Sequence, residues 1–138
     1  MKNLKITERK VNDVTILDLA GSIRLGDDSS KLRNALRIIE GDGAKNILLN
    51  LADVSTIDSS GLGELVAGFV SIKKSGGNLK LFNLTERVSE LMVITKLLTV
   101  FDVFETEEEA IAGFHGVSEK TNAESVETPD GEANKAAV

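Results

Sequence analysis

The 138-residue sequence contains no cysteine, tryptophan or tyrosine, and it has one histidine and one proline. Without cysteine, the chain cannot form disulfides, use a thiolate nucleophile or bind zinc or an iron–sulfur cluster through sulfur. A single histidine removes most other ways of holding a transition metal. Five phenylalanines are the only aromatic residues, so platforms for stacking nucleic-acid bases are scarce. We therefore expect no cofactor and no metal site.

Positive charge is also in the minority, because 16 lysines and arginines stand against 22 aspartates and glutamates, for a formal net charge of -6. Phosphate backbones are bound by clustered lysine and arginine, so this balance argues against nucleic acid as a partner. No apolar run is long enough to span a bilayer, and the N-terminal residues lack the apolar core of a secretion signal. We expect a cytoplasmic protein without direct membrane insertion.

The length and the 41% hydrophobic content suit one globular domain, which we place at residues 1–115. Residues 116–138 are polar and acidic, contain the proline and lack any large apolar residue. Such a segment cannot bury enough surface to offset the entropy lost on ordering. We expect a disordered acidic tail, and the alternative is a partner-binding motif that folds on contact.

Strand and helix patterns alternate along the predicted domain, which indicates an α/β fold. An alternating run from residue 4 to 9 and an apolar run from 14 to 19 flank Asn12 and Asp13, which predicts a β-hairpin. The apolar run 47–51 is typical of a strand that is covered on both faces, and residues 79–82 are predicted to form the next strand. A helical repeat follows the hairpin, with Asp28 or Ser29 as its expected N-cap, and its apolar positions are Leu32, Ala35, Leu36 and Ile39.

The block Asp-Ser-Ser-Gly-Leu-Gly at residues 58–63 brings a carboxylate and two hydroxyls to the start of a buried helix. A helix entrance needs only one such side chain as a cap, so a purely structural role explains part of the block. The surplus hydroxyl has a second interpretation. A phosphate placed there would lie at the positive end of the helix dipole, where added negative charge is tolerated.

Residues 49–51 (Leu-Asn-Leu), the block at 58–63 and residues 76–79 (Gly-Gly-Asn-Leu) together resemble the STAS domain family, especially bacterial anti-sigma-factor antagonists. The resemblance extends over about residues 4–114. It implies a single STAS-type domain with a mixed central β-sheet and about four α-helices. It also implies a switch serine directly after the aspartate, which is Ser59 in this chain.

In antagonists of this type, the partner is an anti-sigma factor that is also an ATP-dependent serine kinase. The resemblance implies that Ser59 is the phosphorylation site, and that Asp58, Ser60 and Gly61 form the switch loop with Ser60 capping or supporting the helix. Leu62 is assigned to the partner surface. A metal-dependent serine phosphatase that resets the switch is implied as a further partner.

The residues before the first helix depart from the family pattern. A Gly-Glu-Leu-Asp-like turn that meets the kinase is common there, and this chain has Gly21, Ser22, Ile23 and Arg24. An acidic contact has become basic, and residues 25–28 add one residue before the helix. We assign these four residues to the partner surface, although Arg24 is also explained as a solvated turn cation.

An enzyme is not expected, because a serine nucleophile needs a nearby base and His115 lies at the end of the last helix pattern as an exposed C-cap. Three other functions stay open. The first is a scaffold subunit of a signalling assembly, the second is a cytoplasmic accessory subunit of a lipid-transport permease, and the third is a sensor of a small ligand or nucleotide.

Overall fold

The structure, a computed structural model, describes residues 3–116, and it confirms a single α/β domain with a mixed five-stranded sheet and four α-helices. A short 3-10 turn, 97–99, lies between the third helix and the last strand. The strands are β1 (Lys5–Val11), β2 (Val14–Ile23), β3 (Asn46–Ile57), β4 (Asn78–Phe82) and β5 (Val103–Phe104). The helices are α1 (Asp27–Gly41), α2 (Ser59–Lys74), α3 (Glu86–Ile94) and α4 (Glu107–Phe114).

The strands lie side by side in chain order, from β1 at one edge to β5 at the other. The predicted hairpin is present, since β1 and β2 are antiparallel and joined at Asn12 and Asp13. Every later pair is parallel, with a helical connection between its two strands. The carboxyl ends of β2 to β5 therefore lie together at one end of the strands, which we call the carboxyl edge of the sheet. Parallel α/β sheets most often place their functional loops there.

Helices cover both faces of the sheet, because the inner strands are apolar on both sides. Ile47, Leu49 and Leu51 of β3 point into the larger apolar cluster, which also contains buried residues of α1, α2 and α3. Leu48 points the other way, into a smaller cluster that includes Ala110 of α4. The side of the sheet that bears α1 to α3 therefore holds most of the core.

The first helix differs from its prediction at its start. It begins at Asp27 with Gly26 in the N-cap position, and no side chain caps it, so the predicted cap by Asp28 or Ser29 is wrong. The Asp28 carboxylate instead accepts hydrogen bonds from the backbone N–H groups of Leu4 at 3.2 Å and Arg24 at 3.3 Å. This side chain therefore holds the segments that lead into the helix.

Strand β3 is longer than the apolar run that predicted it. Two irregularities in the register with β2 let the pairing continue as far as Ile23 and Ile57, well beyond residue 51. Strand β5 has only two residues, which is too short for any periodic pattern. The predicted tail, apart from Gly116, lies outside the described residues, so the boundary at residue 115 stays a prediction.

Candidate functional site

The two segments that sequence analysis singled out meet at the carboxyl edge of the sheet. Ile23 and Ile57 are register partners at the ends of β2 and β3, and the N–H of Asp58 donates to the carbonyl of Ile23 at 3.1 Å. The loop after β2 and the entrance of α2 therefore form one continuous surface. We call it the switch face, and its members are the exposed and half-buried residues 24–25 and 58–60.

Asp58 is the N-cap of α2, and it binds two segments at once. Its backbone is extended, its Oδ1 accepts from the N–H of Gly61 at 3.0 Å, and its Oδ2 accepts from the N–H of Leu25 at 2.9 Å. The bonds from Gly61 and then Leu25 hold the pKa of the Asp58 carboxyl below its usual value, with Arg24 adding a smaller attraction. The carboxylate therefore stays ionised at neutral pH.

The two serines of the block occupy different environments. Ser59 is the first residue of α2 and is exposed, whereas Ser60 follows it inside the first turn and is half-buried. The cap is Asp58, so Ser60 does not cap the helix, and the alternative that Ser60 supports the helix stays a prediction. Of the two serines, Ser59 is therefore the more accessible to solvent.

Gly61 lets the start of α2 approach the ends of the strands closely. A Cβ built there would lie 2.6 Å from Ile57 Cγ1 and 2.7 Å from both the carbonyl oxygen and Cγ2 of Ile23. A backbone oxygen cannot move aside as a flexible side chain can. Gly61 therefore fixes the short distance between the helix and the sheet, and with it the position of Ser59.

Most of the residues that sequence analysis assigned to the partner surface are buried beneath it. Gly21, Ser22 and Ile23 are buried, since β2 is covered on both faces, and Leu62 is only 7% exposed and lies in the core. Arg24 is exposed. Gly21 also has φ +115°, and a Cβ there would lie 2.7 Å from the carbonyl oxygen of Asn3, which restricts this position to glycine.

Leu25 is the residue of the switch face that sequence reasoning missed. Its side chain is 80% exposed, beside Arg24 and directly linked through its backbone to the cap of α2. A large apolar residue between an arginine and a Gly-Asp-Asp run was the available signal, because such loops are usually polar. The sequence could not show that its N–H is bound by Asp58.

The structure gives Ser59 no base from the histidine of the chain. His115 is the C-cap of α4, as predicted, and its Nε2 lies 2.8 Å from Asp13 Oδ1 at the turn before β2. The ten residues of β2 separate that turn from the switch face, a length of about 30 Å. Among residues 3–116, no group of three or more acidic or histidine side chains is placed to hold a metal ion.

A five-stranded mixed sheet has three helices on one face and one on the other, and Asp58 caps α2 beside an exposed Ser59 at its carboxyl edge, which together define a small α/β domain. The model of the STAS domain matches residues 5–110, and the chain belongs to the STAS domain family. In the part of the chain that the structure describes, no helix is long and apolar enough to cross a membrane.

The relatives point to one branch of that family. The anti-sigma-B factor antagonist of Bacillus subtilis is 40% identical over 92 residues, which are 67% of this chain and 82% of that protein. The anti-sigma-B factor antagonist of Listeria monocytogenes is 30% identical over 107 residues, 78% of this chain and 92% of that one. By homology the chain therefore groups with the anti-sigma factor antagonists.

A solved structure agrees with the fold. A crystal structure of a candidate anti-sigma factor antagonist from Thermotoga maritima superposes with a TM-score of 0.75 at 27% identity, covering 80% of this chain and 94% of that one. The two proteins therefore share the same arrangement of strands and helices over nearly the whole length of the Thermotoga protein.

Proposed function

We propose that this protein is an anti-sigma factor antagonist that works as a binding switch without catalytic activity of its own. It binds an anti-sigma factor, which is also a serine kinase, while Ser59 is unmodified, and it releases that partner once Ser59 is phosphorylated. The observation that carries the proposal is the exposed Ser59 at the entrance of α2, directly after its Asp58 cap, in a chain homologous to antagonists. Its place of action is the cytoplasm, where ATP and sigma factors are found.

The modification is a phosphoryl transfer carried out by the partner. The γ-phosphoryl group of ATP moves to Oγ of Ser59, the bond to ADP breaks, and the hydroxyl proton passes to the base of the kinase. A metal-dependent serine phosphatase would restore the hydroxyl by hydrolysis. This chain contributes the acceptor oxygen and its presentation.

The added phosphate acts mainly at the partner surface. It brings about -1.5 to -2 charges and three acceptor oxygens. The helix N-terminus and Arg24 attract it while Asp58 repels it, so the free energy of the fold changes little. Release of the partner follows from charge and bulk at the switch face, and the secondary structure stays intact.

A pull-down from host lysate tests the proposal with four proteins: wild type, Ser59→Ala, Ser59→Asp and Ser59→Asn. Asparagine has the size of aspartate without the charge, so it separates charge from bulk. We expect wild type and Ser59→Ala to retain an anti-sigma kinase, identified by mass spectrometry, and Ser59→Asp to lose it. Retention by Ser59→Asn would assign the loss to charge.

Two results would count against the proposal. Retention of the same permease or scaffold proteins by all four variants would make Ser59 a structural residue and favour an accessory or scaffold function. A large change in the circular dichroism spectrum of Ser59→Asp would show that the switch works by refolding rather than by charge and bulk at the switch face.

A further inference from the structure

Residues 24–26 form a short loop, the β2–α1 loop, whose backbone is held at almost every position. The N–H of Arg24 donates to Asp28 and its carbonyl accepts from the N–H of Ser29 at 3.0 Å. The carbonyl of Gly26 accepts from the N–H of Ser30, also at 3.0 Å. These bonds tie the loop to α1. The link to α2 is different, because it consists of the Asp58 carboxylate on the N–H of Leu25.

Leu25 is a rigidly presented apolar side chain. Its backbone is fixed on both sides, yet 80% of its surface meets solvent. Ile94 is comparably exposed at 75%, but it lies at the end of α3, on a different element from the switch face. A fixed backbone means that little conformational entropy is lost when a partner covers Leu25, which is what makes an interface anchor effective.

Asp58 joins this side chain to the modification site. One oxygen of its carboxylate caps α2 beside Ser59, and the other holds the backbone of Leu25. We propose that Leu25 is the apolar anchor of the partner surface, and that Asp58 is the positioning residue that keeps it in place until Ser59 is phosphorylated. This inference rests on the proposed function of Ser59, and it names the contact that phosphorylation withdraws.

The physical reason is competition at the entrance of α2. The phosphate on Ser59 Oγ is a second anion next to an ionised carboxylate, and both seek the N–H groups of the first helical turn. Phosphate brings more charge and more acceptor oxygens than the carboxylate. When Asp58 gives way, the N–H of Leu25 loses its acceptor, and the loop keeps only its bonds to α1. The fold survives while the anchor loses its fixed position.

Amide hydrogen exchange, followed by NMR in the full chain, tests the positioning role without any partner. The samples are wild type, protein with phosphoserine at position 59, and Asp58→Ser, in which one hydroxyl can still cap α2 but the second acceptor is gone. We expect the amide of Leu25 to exchange at least tenfold faster in the last two. Asp28→Asn is the matched control, because it weakens the bond to the N–H of Arg24 and should leave the amide of Leu25 unchanged. Equal protection of Leu25 in wild type and phosphoprotein would overturn the coupling.

Titration calorimetry tests the anchor, with the anti-sigma factor recovered by wild type in the pull-down as the purified probe. Leu25→Ala should weaken binding at least tenfold, whereas Ile94→Ala, a comparably exposed aliphatic residue, should bind like wild type. Equal affinity of Leu25→Ala and wild type would refute the anchor even with the proposed function intact. Recovery of no anti-sigma factor would remove the anchor together with the proposed function, and the exchange experiment would still decide the role of Asp58.

Discussion

Gly61 and Gly63 are two residues apart at the start of α2, and their surroundings differ in a way that predicts opposite effects of alanine. A methyl group on Gly61 would overlap Ile57 and the backbone oxygen of Ile23. A methyl group on Gly63 would meet nothing within 4 Å on an exposed helical surface. We expect Gly61→Ala to lower the free energy of unfolding by about 1–3 kcal/mol, because a well-packed contact must open.

Gly63→Ala serves as the control in the same helix. It should raise the free energy of unfolding by up to about 1 kcal/mol, since alanine favours the helix over glycine. Urea denaturation of both variants gives the two values. If Gly61→Ala proved as stable as wild type, the short approach of α2 to the sheet would not be a constraint on the switch face.

Sequence reasoning at the residue scale found the chemistry of the site more readily than its exposure. The block at residues 58–63 predicted a surplus hydroxyl at a helix entrance, the family resemblance singled out Ser59, and the structure adds that Ser59 is exposed there. Leu62 belongs to the apolar repeat of α2 and is buried as that repeat indicates, so its assignment to the partner surface went against the pattern. Leu25 was missed because its significance depends on a bond to a residue 33 positions away.

Among the elements, α4 is attached to the opposite side of the sheet by a network of charged side chains. Arg9 of β1 donates to Asp18 of β2 at 2.7 Å and to Glu107 of α4 at 2.7 Å, and Asn50 of β3 adds a bond to Asp18. The two carboxylates raise the pKa of Arg9. One guanidinium thus joins the hairpin to the last helix.

This network predicts a loss of stability in acid. The hydrogen bonds from Arg9, and then from Asn50, hold the pKa of Asp18 below its usual value near 3.9, and partial burial opposes them. A carboxyl whose pKa is lowered in the folded state contributes its full stabilisation when the pH is above its unfolded-state pKa. It loses that contribution as the pH falls through its folded-state pKa. We expect the urea concentration at the midpoint of unfolding of the wild-type protein to decrease once the pH is lowered below about 4.

Comparison with Asp18→Asn isolates this contribution. The side chains of the network are about one-third exposed, so the free energy of unfolding of the variant should be lower than that of wild type by about 1 kcal/mol or less at pH 7. On acidification, the free energy of unfolding should decrease less for the variant than for wild type. Asp13 and Asp58, whose pKa values are also lowered, are unchanged in both proteins. Parallel acid profiles for the two proteins would mean that Asp18 carries none of the dependence.

Elements were predictable from sequence where a periodic pattern was long. The 15 residues of α1 and the 16 of α2 repeat their apolar positions over several turns, so both were found. The start of α1 was not, because Asp28 binds the backbone of Leu4, a contact across 24 positions that competes with capping. The extension of β3 depends on its pairing with β2, which only the sheet as a whole determines.

At the scale of the whole molecule, the parallel arrangement of β2 to β5 separates the switch face from the rest of the structure. The turn of the hairpin and the end of α4 lie opposite the carboxyl edge, at the amino end of β2, where His115 contacts Asp13. The chain leaves the described domain at Gly116, on that distant edge.

The predicted boundary of the domain can be tested on the same grounds. The buried apolar residues of the described chain run from Leu4 to Ala110, and the C-cap at His115 completes α4. We therefore expect a chain that ends after Gly116 to unfold in urea with a free energy within about 0.5 kcal/mol of the full chain. It should also retain the same anti-sigma factor in the pull-down. A loss of more than about 1 kcal/mol would show that residues 117–138 pack against the domain, and a lost partner with unchanged stability would place a binding motif in them.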